Sequence, residues 1–242
     1  PNERKWVVID GNGDYVLGRF DGRKFLTETS KRKGDHGRNF YATMTFENMP
    51  KQDPRRIQMA WMRGWDDYPK DMPFNQQASF PCELTLRKSG DQTILCRNPI
   101  REISRIHGTT VSRKDLVLAP GENPFKEMTG ELFDIRLHLD VSRSQCDKVV
   151  LRTHGNVTEY DLKSRVLRSH GTEVPLSPVD DEIEIRVLVD RLSLETFGNH
   201  GEASITNIAY QNRALQPLEL AAVGGHAFVK SLEIHELRSI WK

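Results

Sequence analysis

The sequence predicts an all-β protein in two parts, on three observations. Residues 132–141 and 182–190 alternate apolar and polar side chains, the period of a strand with one buried face. The first hundred residues hold about six short apolar runs separated by turn residues, the spacing of propellers, sandwiches or barrels. The last ~130 residues hold many more strands joined by hairpin signals, the pattern of a two-sheet sandwich.

Lys5-Trp6-Val7-Val8-Ile9 is short and β-branched and makes the first strand. Gly11-Asn12-Gly13-Asp14 turns it into Tyr15–Phe20, and Asp21-Gly22 marks the next turn. Residues 27–37 are polar, and their basic cluster Lys31-Arg32-Lys33 reads as a solvated loop. Tyr41 opens a strand that runs to Phe46, and Pro50 to Pro54 is a turn. Ile57 to Met62 is an apolar strand, and the chain extends again from near Ala78 through Leu86. Ser89-Gly90-Asp91 then leads into a strand at Thr93–Cys96. At 99–113 the spaced Ile100, Ile103 and Ile106 give way to polar Thr109 to Arg113, so a linker is placed at 105–112. It separates an N-terminal part, 1–104, from a sandwich, 113–242.

In the sandwich, Phe133, Ile135, Leu137, Leu139 and Val141 point inward, as do Ile183, Ile185, Val187 and Val189. Asp190-Arg191 makes a tight hairpin into Leu192–Phe197, and Gly198 to Gly201 turns into Glu202–Thr206. Pro217–Val223 and His226–Leu237 flank the hairpin signal Gly224-Gly225. Asp190 and Glu195 read as turn chemistry and solvent-face charge.

The loop between Met62 and Ala78 carries Trp65, Asp66 and Asp67, and Pro69 and Pro73 keep it irregular. A tryptophan beside carboxylates in such a loop is either a binding surface or packing. Trp61, inside the apolar strand, reads as core. Asp66 and Asp67 read as solvated acids. Asn75, Gln76 and Gln77 are amides able to donate to sugar hydroxyls or to satisfy loop backbone.

Composition excludes several classes. The net charge is +1 with 29% charged residues, so no strong field points to nucleic acid or an anionic membrane. No apolar run reaches the ~20 residues that cross a bilayer. Cys82, Cys96 and Cys146 are an odd set and no disulfide framework. The eight histidines are scattered without metal-ligand spacing, and no phosphate-binding glycine loop is present, so neither metal nor cofactor is expected. The chain opens on Pro1-Asn2-Glu3-Arg4 without an initiator Met, as a trimmed, cleaved or excerpted polypeptide does.

Several segments, in order, resemble glycoside hydrolase family 32, the invertases, inulinases and levanases. They are Lys5-Trp6-Val7-Val8 with Gly13-Asp14-Tyr15, Gly18 and Phe20-Asp21-Gly22; Asp35-x-Gly37-x-x-Phe40-Tyr41-Ala42; and Arg56-Ile57-x-Met59-Ala60-Trp61-Met62-x-x-Trp65. They continue with Pro81-x-Glu83-Leu84, Val189-Asp190-Arg191-x-Ser193-x-Glu195-x-Phe197, and Glu236-Leu237-x-Ser239-Ile240-Trp241. The resemblance implies the C-terminal part of a five-bladed β-propeller followed by a β-sandwich. It implies retaining hydrolysis of β-fructofuranosides such as sucrose, inulin or levan, and it is compatible with a secreted or periplasmic setting.

The family's nucleophile lies in Trp-Met-Asn-Asp-Pro, its stabilising aspartate in Arg-Asp-Pro and its acid/base in Glu-Cys-Pro. None of these occurs in the 242 residues. Pro81-Cys82-Glu83 reverses the last motif and lies in a different strand. No catalytic residue is therefore assigned, the chain alone is expected to be inactive, and its implied partners are a fructose-containing saccharide and the remaining propeller segment or chain. The resemblance makes Trp65 a wall of the fructose pocket, where an indole offers a flat partner to the apolar face of a furanose. It puts Tyr41 and Asp35 near that pocket; a turn held by Asp35 is the equal alternative. The rival reading is a noncatalytic carbohydrate-binding or structural sandwich.

Overall fold

The computed structural model describes residues 4–74, 76–210 and 217–240; Asn75 and Trp241, singled out above, lie outside them. The described strands form four antiparallel sheets. The first is a three-stranded meander, β1 (Trp6–Ile9), β2 (Tyr15–Phe20) and β3 (Phe25–Thr27). The second is a four-stranded meander, β4 (Tyr41–Thr45), β5 (Arg56–Trp61), β6 (Cys82–Ser89) and β7 (Gln92–Pro99). Seven strands thus stand where the sequence pattern predicts about six; the extra one, β3, is three residues long.

A short 3-10 helix, Arg101–Ile106, leads into β8 (His107–Leu118). The expected linker at 105–112 is corrected here, because residues 107–112 are the first half of β8 and pair with β18 (Ala227–Leu237), Val111 opposite Ile234. β8 is an edge strand and mostly exposed, so no alternation betrays it.

The sandwich stacks two sheets. One has six strands in the order β16 (Ala203–Ile208), β15 (Ser193–Gly198), β14 (Glu182–Asp190), β9 (Phe133–Asp140), β18 and β8. The other has five: β13 (Thr172–Pro175), β12 (Val166–Ser169), β11 (Asn156–Asp161), β10 (Lys148–Thr153) and β17 (Glu219–Val223). The inward rows meet as read: Ile135, Leu137 and Leu139 pack with Ile183, Ile185 and Val187 in one core that also takes Tyr160, Leu167 and Leu220.

Edge strand β16 also carries the joint to the N-terminal part. The segment His36 to Asn39 runs along it, with His36 N–H donating to the Ser204 carbonyl (2.8 Å) and Asn39 N–H to that of Thr206 (3.3 Å). Arg97, at 1% exposure, crosses from β7. Gly201, at φ +87°, lets the turn before β16 lie against the Arg97 backbone; a Cβ there would overlap it.

Candidate functional site

β4 and β5 pair so that Tyr41 faces Trp61 across the ladder. Their rings lie 6.0 Å apart at 60°. Trp65, just beyond β5, sets its indole edge-on to Trp61 at 5.8 Å and 71°. The Arg63 guanidinium covers the Tyr41 ring at 4.4 Å. Trp65 is 61% exposed, although its loop is pinned. Tyr68 is buried; its hydroxyl donates to the Met62 carbonyl (2.7 Å) and accepts from Gln77 N–H (3.2 Å). The Gln77 side-chain amide reaches the Leu192 carbonyl of the sandwich (3.2 Å), and Gln76 is exposed. The result is a three-ring aromatic group whose outermost face is an indole held open to solvent. Trp61, read as core, is half-buried between the other two, and its ring Nε1 is buried with no hydrogen-bond partner among the described residues. Asp66 and Asp67 are both exposed at the loop surface.

Asp35 is not part of this open surface. It is 3% exposed and its carboxylate is fully engaged. Oδ1 accepts from Gly37 N–H (2.8 Å) and Thr206 N–H (3.1 Å). Oδ2 accepts from Arg97 Nη1 (2.7 Å), Ser204 Oγ (2.6 Å) and Thr206 Oγ1 (2.9 Å). The expectation that Asp35 binds substrate is corrected accordingly: no face of its carboxylate is left for a ligand, and its work is the turn at Gly37 and the joint to β16.

Glu195 also departs from its reading as a solvent-face charge. It is 0% exposed, accepts Phe80 N–H at 2.8 Å, and lies 3.4 Å from Thr206 Oγ1. Burial pushes its carboxyl up to about 8, with the negative charge of Asp35 adding to the shift. The joint thus pairs Asp35 with Arg97 beside a Glu195 whose carboxyl is biased by burial toward its protonated form.

Sequence reasoning passed over Asn39, Arg63 and Arg97, and it placed Glu195 on the solvent face. Asn39 and Arg63 lie inside matched motifs, at positions where those motifs name no residue. Arg97 gave no signal, and Glu195 misled, because a charged residue in a strand ordinarily faces water.

Meander sheets leading into a two-sheet sandwich define an all-β protein of the propeller-plus-sandwich class. The exo-inulinase from Aspergillus awamori superimposes on the whole chain with a TM-score of 0.84 at 21% identity, covering 55% of that structure. Fructan 1-exohydrolase IIa from Cichorium intybus matches 95% of the chain with a TM-score of 0.73 at 16% identity, covering 55% of its own length. The chain belongs to glycoside hydrolase family 32: residues 8–99 match the model for the family's N-terminal domain and residues 102–236 the model for its C-terminal domain. A levanase of Bacillus subtilis is 31% identical across the whole chain, which spans 41% of that enzyme. An extracellular exo-inulinase of Aspergillus awamori is 24% identical over 99% of the chain and 53% of its own length. The chain spans about half or less of the length of these curated relatives.

Proposed function

We propose that this chain forms one side of the active site of a retaining β-fructofuranosidase, with Trp65 and Tyr41 walling the fructose pocket. The observation that carries the reading is the Trp65 indole, exposed yet fixed edge-on against Trp61. A held, open aromatic face loses little conformational freedom when it covers the apolar side of a furanose ring. The four-stranded meander is the last blade of a five-bladed propeller, and the three-stranded one belongs to the blade before it. Relatives named levanase and exo-inulinase support a fructan or sucrose substrate.

The chemistry needs two carboxylates about 5–5.5 Å apart across the scissile bond, one attacking and one donating the proton to the leaving oxygen. The motifs that carry them in the family are absent from these residues, so we assign them to polypeptide outside this chain. The share of this chain is binding and orientation: Trp65 excludes water from one face of the sugar, Tyr41 backs Trp61, and the sandwich holds both through β16. Five of the six described aromatics of residues 114–240, namely Phe125, Phe133, Tyr160, Phe197 and Phe228, are buried, and Tyr210 alone is exposed. That supports a structural sandwich over a carbohydrate-binding one. Titrating levan and inulin oligosaccharides against the chain tests the reading. Saturable binding that Trp65→Ala weakens supports it; binding indifferent to Trp65 overturns it.

A further inference from the structure

We propose that Asn39 is a positioning residue for Trp65: its side-chain amide ties the loop that presents the indole to the edge strand of the sandwich. The importance of this tie for sugar binding rests on the reading of Trp65 as a pocket wall; the tie itself stands on geometry.

Asn39 is 1% exposed. Its Oδ1 accepts from Ile208 N–H of β16 at 2.8 Å. Its Nδ2 donates to the Arg63 carbonyl at 2.7 Å and to Asp67 Oδ2 at 2.8 Å. One amide therefore holds the residues two before and two after Trp65 and refers both to the sandwich. Asp67 N–H closes the turn on the Gly64 carbonyl at 3.1 Å. Gly64 leaves the space for this: a Cβ there would stand 2.5 Å from Asp67 Oδ2 and 2.6 Å from Asn39 Nδ2. The Ile208 side chain closes the same space from the sandwich side, 3.0 Å from that position.

The residue type follows from the donor count. The site needs an acceptor toward β16 and two donors toward the loop, and a primary amide offers that set whereas a carboxylate offers no donor. Asn39 thus joins Gln77 in tying the aromatic wall to the sandwich, which gives the sandwich a role in the site without any contact to substrate.

The test is amide exchange by mass spectrometry on the 242-residue chain, with iodide quenching of Trp65 measured against a Trp65→Phe background. Asn39→Asp keeps the acceptor and sets a carboxylate against Asp67. We expect exchange across residues 63–68 to rise about tenfold, the factor for one charge-assisted hydrogen bond, with β9 and β14 unchanged and the quenching of Trp65 altered. Asn39→Asp with Asp67→Asn restores the contact between those two side chains but leaves the Arg63 carbonyl without its donor, so exchange and quenching should return only part of the way to the parent. Asp67→Ala, at the exposed end of the contact, gives a smaller local rise in a variant whose core is intact. Unchanged exchange around Trp65 in both single variants overturns the proposal. So does a rise spread equally over β9 and β14. The place of Trp65 in the pocket wall is tested separately, by the fructan affinity of Trp65→Ala, and its failure leaves the exchange result as it stands.

Discussion

Glu195→Gln keeps the shape of a fully buried side chain and removes its proton equilibrium. The carbonyl oxygen of glutamine still accepts Phe80 N–H, and its NH2 faces Thr206 Oγ1. In the parent, the folded-state pKa is raised from 4.5 to about 8, chiefly by burial. Between those values the unfolded chain releases a proton that the folded chain keeps, so stability falls as pH rises, by about 1.4 kcal/mol per pH unit. Below 4.5 both states hold the proton, and above about 8 neither does, so the loss is confined to that window. Across the whole window the loss is on the order of 5 kcal/mol, a large share of the ~5–15 kcal/mol that holds a domain folded. Glutamine carries no such slope. Urea unfolding of both proteins from pH 5 to pH 9 measures the difference. The variant should match the parent to within about 1 kcal/mol at pH 5, gain steadily, and level off above pH 8 about 4 kcal/mol more stable. A difference that stays constant over this range refutes a neutral, buried Glu195.

Three further outcomes follow from the joint and the aromatic group. Arg97→Met leaves the Asp35 carboxylate buried without its cation and should cost about 3–5 kcal/mol in chemical denaturation. Gly201→Ala sets a methyl into the Arg97 backbone at a positive φ and should cost about 2–4 kcal/mol, measured the same way. Trp65→Ala removes a mostly exposed ring, so stability should change by less than about 1 kcal/mol while fructan affinity falls at least about tenfold, read by calorimetric titration.

The strands easiest to read were those with water on one side. β9 and β14 show their core rows as clean alternation, and Asp190-Arg191 turns as its spacing predicts. The sheet of β10 to β13 gave no comparable signal, because its inner face carries polar residues. Thr158 bonds Ser169 at 3.2 Å, and Ser169 bonds Thr196 of the facing sheet at 2.8 Å. Its hairpins turn at His154-Gly155 and His170-Gly171, where a histidine takes the positive φ more often given to asparagine. β15 misled in a different way. All six of its residues are buried, one face on the partner sheet and the other on the N-terminal part. Alternation separates two faces of a strand but does not say what the polar face meets, so Glu195 was assigned to solvent. The aromatic group was legible as far as Trp65, whose loop is marked by prolines. Asn39, a single amide in a polar run, has no pattern to belong to.

The central claim is that Trp65 and Tyr41 wall a fructose site whose carboxylates lie on other polypeptide. It is tested most directly by fructan turnover, for the chain alone and mixed with a separately produced propeller segment carrying the Trp-Met-Asn-Asp-Pro, Arg-Asp-Pro and Glu-Cys-Pro motifs. The account predicts no hydrolysis of sucrose, inulin or levan by the chain alone, turnover in the mixture, and a loss of at least about tenfold when the mixture contains Trp65→Ala. Robust hydrolysis by these 242 residues alone, or turnover in the mixture that ignores Trp65, would contradict it.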